Sequence, residues 1–253
     1  MQNKGHFPSI QKVKEYFDKE NYFNDTAGLP KFLFRGQTTN YQNLTPTFAR
    51  LNDDGNLIGQ CYTTFQFFTQ RLATGLYGYR IEPHEALAVL QHYGFVTPQI
   101  DLTGTIDIAI FFATDNLQEG NKPVIYIVDT EKIKEQHNII VTNHFFLVKE
   151  IEDDGLNNRW LRQDGYAIMP KDWFMTSVGR KFDLYDEAYS DFISYITFDP
   201  SDKENIIVDR KIVYDFGGDY TPQKLKSILE IYCGQNFQDS IHPVLKEIIN
   251  KMI

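Results

Sequence analysis

Four short runs set the fold class of this chain: "KFLFRG" at residues 31–36, "PVIYIVDT" at 123–130, "NIIVTNHFFLV" at 138–148 and "FISYITFDP" at 192–200. Each is rich in β-branched and aromatic side chains and is bounded by turn formers, so each reads as a strand. Segments with helical spacing separate them, and no internal repeat, low-complexity stretch or linker divides the chain. The expected architecture is α+β, a single domain with a mixed or antiparallel sheet flanked by helices.

The helices have their own punctuation. Ser9 precedes "IQKVKEYF", whose Ile10, Val13 and Phe17 recur at helical spacing, so an amphipathic helix opens the chain and "NDTAGLP" ends it. Residues 59–79 carry aromatics every three or four positions and read as helical. In "PHEALAVLQHYG", Pro83 suits the first turn, Gly94 the position past the end, and His92 falls in the last turn. "TIDIAIFFATDNL" reads as a buried helix starting near Thr103 or Thr105, after a loop holding Thr97 and Pro98. "SDKE" at 201–204 has capping-box spacing, yet the "NIIVDRKIVYDF" after it is β-rich. "TPQKLKSILEIYCG" has a capping Thr221, Pro222 in its first turn and Gly234 at its end, and "PVLKEIINKMI" supplies a last amphipathic helix.

Composition narrows what such a domain does. At 253 residues the chain buries a core without disulfides or structural metal, and an aromatic share of 15% supplies large side chains for it. The 34 acidic against 25 basic residues give a net charge of −9, which disfavours extended nucleic-acid binding while leaving room for a local basic cleft. Cys61 and Cys233 lack CxxC spacing, and neither His84 with His92 nor His137 with His144 has a metal-binding context, so no metal is expected. The first residues carry no signal-peptide run and no apolar stretch approaches membrane-spanning length, which points to a cytoplasmic protein with no membrane partner.

Three clusters of chemistry-bearing residues stand out. In the first, Arg35, Gly36 and Gln37 close an apolar strand, with Tyr41 and Arg50 beyond it. A guanidinium fork suits a phosphate or carboxylate, and a neighbouring glycine lets backbone approach a ligand; an arginine paired to an acidic side chain at a strand end is the bland alternative. In the second, residues 90–114, polar Gln91, His92, Tyr93, Asp101, Thr103 and Thr105 sit among apolar neighbours. Buried polar groups require partners, so a network is expected there, although Asp101 alone could serve as a helix cap. The third is "NNRWLRQDGYAI" at 157–168, where helical geometry would put Arg159 and Gln163 on one face ahead of Gly165, and an exposed turn is the alternative.

Together, "FRGQ", "LQHYG" with the following "DLT" and "FFA", and "NRWLRQDG" resemble the FRG domain family. The resemblance runs from about residue 28 onward, dividing the chain into an N-terminal helix and connection at 1–27 and an FRG-like domain at 28–253. One loop departs from the family's usual "LPTRLLDWT": here "FVTPQIDLT" places Pro98 where an arginine is common and Leu102 where a tryptophan is common. Arg71, Arg80, Arg159 and Arg162 are the candidates to replace that arginine.

A more distant resemblance is to arginine-type ADP-ribosyltransferases, in the order of Arg35, then Thr103 with Ala109 and Phe112. It implies NAD as substrate, with Arg35 on the diphosphate, Thr103 orienting the ribose or nicotinamide side, and His92 or Tyr93 against the ligand. The catalytic set so implied is Arg35, His92, Thr103 and Gln163; the ligand-binding set is Gly36, Gln37, Tyr41, Tyr93, Asp101, Arg159 and Gly165. The transferase glutamate has no clean equivalent, since Gln163 and Asp164 stand in its region; Asp164 or Glu85 substitutes, or a nucleotide is bound without turnover. The implied function is an ADP-ribosyl-transferring or NAD-cleaving enzyme with a macromolecular acceptor or water, of the kind used against phage or as a toxin. The alternative is a non-catalytic module for a nucleotide or another anionic small molecule.

Overall fold

The computed structural model describes residues 1–19, 30–40, 44–46, 70–72, 74–76, 78, 82–91, 97–136, 139–143, 163–170, 191–214, 224 and 227–228. The strands are β1 (Gln2–Phe7), β2 (Phe32–Gln37), β3 (Ile100–Thr103), β4 (Val124–Asp129), β5 (Ile139–Asn143), β6 (Gly165–Pro170) and β7 (Ile193–Phe198). The helices are α1 (Ile10–Lys19), α2 (Pro83–Gln91), α3 (Ile106–Thr114), α4 (Thr130–Gln136) and the short α5 (Arg210–Tyr214), with a 3₁₀ turn at Lys203–Asn205. Residues 70–72 and 74–76 are helical as well.

The seven strands among the described residues form one sheet in the order β1-β7-β4-β2-β3-β6-β5. Only β1 and β7 run parallel; the other neighbours are antiparallel. The expected mixed sheet with flanking helices is therefore present, and the domain is α+β.

Side chains alternate along β4 and sort the core into two layers. Val124, Tyr126 and Val128 face a cluster that includes Leu33, Leu87 of α2 and Ile133 of α4. Ile125 and Ile127 face the opposite cluster, built with Ile10, Val13 and Phe17 of α1 and Ala109, Ile110 and Ala113 of α3. Both faces of β4 are dry, which is why its sequence reads as an unbroken apolar run rather than an alternating one.

Helix α1 begins where its sequence says: the Ser9 hydroxyl accepts from the Lys12 N–H at 3.2 Å. Its remaining donors are met from far along the chain, because the Asp202 carboxylate accepts from the N–H groups of Ile10 at 2.8 Å and Gln11 at 3.0 Å. Strand β1, pairing from Gln2 with Ser194 to Phe7 with Phe198, joins the same segment.

Several elements differ from expectation. Strand β2 does not stop at Gly36 but pairs with β4 through Gln37, so Arg35 lies within the strand, opposite Tyr126. The loop expected around Thr97 ends in a strand, β3, and Thr103 belongs to it, while α3 takes Thr105 as its cap. Residues 165–168, taken as part of a helix or turn, form β6. The β-rich "NIIVDRKIVYDF" holds α5 instead of a strand. Strand β1 carried no recognisable signal, since five of its six residues are exposed and no apolar face marks it. The readings at Cys61, Cys233, Gly94, Gly234 and the last amphipathic helix lie outside the described residues.

Candidate functional site

Strand β2 is held unequally by its two neighbours. Against β4 it keeps six consecutive residue pairs, from Phe32 with Asp129 to Gln37 with Val124. Against β3 it keeps one, Phe34 with Thr103. Beyond that pair the strands part, leaving backbone that a regular ladder would have satisfied. The Arg35 side chain bridges the gap: its Nη1 donates to the main-chain oxygen of Asp101 at 2.8 Å.

The parted seam is a cleft of about 330 Å³ lined by Phe34, Arg35, Gly36, Gln91, Asp101, Leu102, Thr103, Phe112, Gln163 and Tyr214. That volume sits at the small end of ligand pockets. The lining residues carry one guanidinium, one carboxylate, two amides and two hydroxyls among aromatic side chains. The Asp101 carboxylate is half-buried, and its Oδ1 is shielded from solvent with no hydrogen-bond partner among the described residues.

Gly36 is required by the wall behind it. A Cβ at this position would lie 1.8 Å from the carbonyl oxygen of Ala109, so α3 packs on β2 only because that side chain is missing. The close contact brings Phe112 of the same helix to the cleft.

Thr103 and Gln163 form the far wall through a knot of polar groups. The buried Thr103 hydroxyl donates to the Gln163 carbonyl at 2.7 Å and accepts from the Thr105 N–H at 3.2 Å. The Gln163 amide donates to the Val213 carbonyl of α5 at 3.4 Å. Asp164 follows in the left-handed region at φ 43°, receives the Thr105 hydroxyl at 2.9 Å, and accepts the Gly104 N–H on its carbonyl at 3.0 Å. A Cβ on Gly104 would meet the Asp164 Oδ2 at 2.3 Å, so the turn admits no larger residue without movement. Burial lifts the Asp164 carboxyl above the ordinary carboxylate range, and the Thr105 hydroxyl pulls it partly back. The Tyr166 hydroxyl is pushed up by burial and by the nearby Asp164 charge.

Of the residues singled out in the sequence, Arg35, Gly36, Asp101, Thr103 and Gln163 share this one cleft. Thr103 spends its proton on Gln163, which suits a wall-fixing role rather than a direct hold on a ligand. Gln37 is buried outside the lining, with its Oε1 unpartnered among the described residues, and Gly165 lies in β6 opposite Thr103. Neither Asp164 nor Glu85 lines the cleft; Glu85 turns back to the Glu82 N–H at 3.2 Å. Arg71 is exposed and away from the lining. Tyr41, Arg50, Arg80, His92, Tyr93, Arg159 and Arg162 lie outside the described residues.

The sequence did not assign Phe112, Tyr214 or Gln91 to the site. "FF" reads as core, and half of it is: Phe111 is buried while Phe112 is only half-buried. Gln91 was expected in a polar network and belongs to one, accepting the Thr97 hydroxyl and donating to the Gln99 carbonyl at 3.2 Å. Tyr214 sits in a stretch read as β-rich, and only the tertiary fold brings it here. Among the described residues no group of histidine, cysteine, aspartate and glutamate side chains is arranged for a metal, and no helix is long and apolar enough to cross a membrane.

Fold and cleft together define an α+β protein whose seven-stranded sheet opens a ligand-sized gap with polar groups at an internal strand seam. Residues 30–122 match the family model described as FRG domain. The match takes in Arg35, Gly36, Gln91, Asp101, Thr103 and Phe112, and ends before Gln163 and Tyr214. No curated protein and no solved structure matches the chain.

Proposed function

We propose that the cleft binds a nucleotide, NAD first among candidates, and that the protein cleaves NAD or transfers its ADP-ribosyl group. The observation that carries this reading is the placement of a guanidinium and a half-buried carboxylate, Arg35 and Asp101, on the two lips of one parted strand seam. The fork of Arg35 suits a diphosphate. In the reaction, the bond between the ribose C1 and the nicotinamide nitrogen breaks and its electron pair leaves with nicotinamide. The carbon left behind is cationic, and the Asp101 carboxylate, whose Oδ1 is shielded from solvent, stabilises it. Water or a macromolecular acceptor then bonds to that carbon and releases its proton to solvent. Thr103 and Gln163 hold the wall, and His92 and Tyr93, next in sequence to Gln91, are the expected further ligand contacts. NAD depletion in the host cell would follow, as befits a toxin or an anti-phage effector.

A second reading, nucleotide binding without turnover, is favoured by the commitment of the Thr103 hydroxyl to the Gln163 carbonyl. Incubation with NAD, with and without cell lysate as acceptor, separates the two through nicotinamide release. Release by the wild type that falls about 100-fold in Asp101→Asn, with NAD affinity kept within a few-fold, supports catalysis. Calorimetric binding without release supports the second reading, and neither binding nor release would defeat both.

A further inference from the structure

Tyr214 reaches the cleft from α5, a five-residue helix in a stretch that reads as β-rich. Its ring stands 6.2 Å from that of Phe112 at an interplanar angle of 81°. Both side chains are half-buried and both line the cavity. Two rings set nearly at right angles form a corner that matches one kind of guest: a flat ring lying parallel to one wall is offset-stacked on it and edge-on to the other, and aromatic pairs favour both arrangements.

The corner is held from outside by one carboxylate. Asp115, whose side chain is only 11% exposed, accepts the Tyr214 hydroxyl on Oδ2 at 3.2 Å and the Arg210 guanidinium on Oδ1 at 2.8 Å. Arg210 in turn lies 5.4 Å over the Tyr214 ring. Asp115 follows the last residue of α3, so the helix that carries Phe112 also fixes Tyr214, and the angle between the two walls is set by one element.

We infer that Tyr214 is the specificity-determining wall of the cleft, selecting ligands that carry a planar heteroaromatic ring, and that Asp115 is its positioning residue. The inference rests on the nucleotide reading above and adds to it which part of the ligand is read, and by what. The phosphate end belongs to Arg35 and the ring end to the Phe112–Tyr214 corner.

The test compares nicotinamide mononucleotide with ribose 5-phosphate, which lacks the ring and its positive charge, by calorimetric titration of the full chain; the Tyr214 variants separate ring from charge. The wild type is expected to bind the ring-bearing probe about tenfold more tightly or better. Tyr214→Ala removes that preference, lowering nicotinamide mononucleotide affinity by a larger factor than ribose 5-phosphate affinity. Asp115→Ala lowers the preference, and Asp115→Asn, whose amide oxygen still accepts the tyrosine hydroxyl, retains most of it. Because the readout is a ratio of affinities, a general loss of stability does not imitate the result; should Asp115→Ala fail to fold, Tyr214→Phe, which keeps the ring and drops the bond to Asp115, takes its place with a partial loss. Equal affinities of the wild type for the two probes, or equal losses for both in Tyr214→Ala, overturn the ring-reading corner while the phosphate end survives. Failure of the wild type to bind either probe defeats the nucleotide reading and this inference with it.

Discussion

The two edges of strand β2 solve the same chemical problem in opposite ways. On the β4 side every backbone group meets a partner strand over six residue pairs, with apolar layers above and below. On the β3 side one pair is kept, and an arginine side chain spans the rest. The first edge is made by backbone and tolerates any side chain that packs; the second depends on one guanidinium. A sheet can therefore hold an opening at its centre when the strand beside that opening is fully secured along its other edge.

Substitutions on β2 and at the turn beyond β3 test that contrast, and the largest effect is expected at Gly36. Gly36→Ala forces a methyl group into the Ala109 carbonyl, so α3 must move off the closed edge of the strand. We expect a loss of about 3 kcal/mol or more in urea denaturation. A loss below about 1 kcal/mol would mean the helix has room to shift, and that the closed edge is less rigid than its register implies.

Arg35→Ala acts on the open edge. The Asp101 carbonyl loses its donor, and the loss of this part-buried bond costs about 1 kcal/mol. Ligand binding is expected to disappear as well. Sequence alone suggests a site arginine of little structural weight; the bridge to Asp101 gives it both duties. Arg35→Lys keeps the charge but not the fork, so stability is expected to recover in part while affinity stays low. Unchanged melting in Arg35→Ala would show that the open edge needs no bridge.

The smallest effect is expected at Asp164, in the turn beyond the open seam. Its carboxyl is raised by burial, so this group favours the fold most fully below its unfolded value of 3.8, and the contribution is lost as pH rises through the higher folded value. Asp164→Asn removes the ionisation and suits the left-handed backbone there. The variant is expected to gain under about 1 kcal/mol at pH 7, and the gain should shrink as pH is lowered toward 3.8. Thermal melts of both proteins across that range give the sign directly; a gain that grows on acidification would contradict the burial account.

How much of this was legible in the chain depended on how each element is stabilised. Strands β2, β4 and β7 and helices α1, α2 and α3 announce themselves because their apolar residues are buried by one dominant layer or two, and pattern follows burial. Strand β1 has no buried face, β3 is four residues long, and α5 has two β-branched residues among its five and is tied by contacts to the end of α3 and to Gln163. The site divides along the same line. Arg35, Asp101 and Thr103 were visible as polar residues among apolar ones, and Gln163 through its spacing from Arg159. Phe112 and Tyr214 were not, since an aromatic on a cleft wall and one in the core look alike in a sequence.

The clasp between Asp202 and the start of α1 spans 192 positions, and β1 waits on β7 across nearly the same interval. During synthesis at about 5–20 residues per second, the opening segment leaves the ribosome roughly 10–40 s before its partners exist. For that time β1 has no strand to pair with and the first N–H groups of α1 lack their Asp202 acceptor, although the apolar stripe of α1 already finds β2, α3 and β4, and the sheet cannot be sealed from its first edge. Closure of the domain is accordingly a late event on the growing chain, and a nascent protein halted before β7 would leave β1 unpaired.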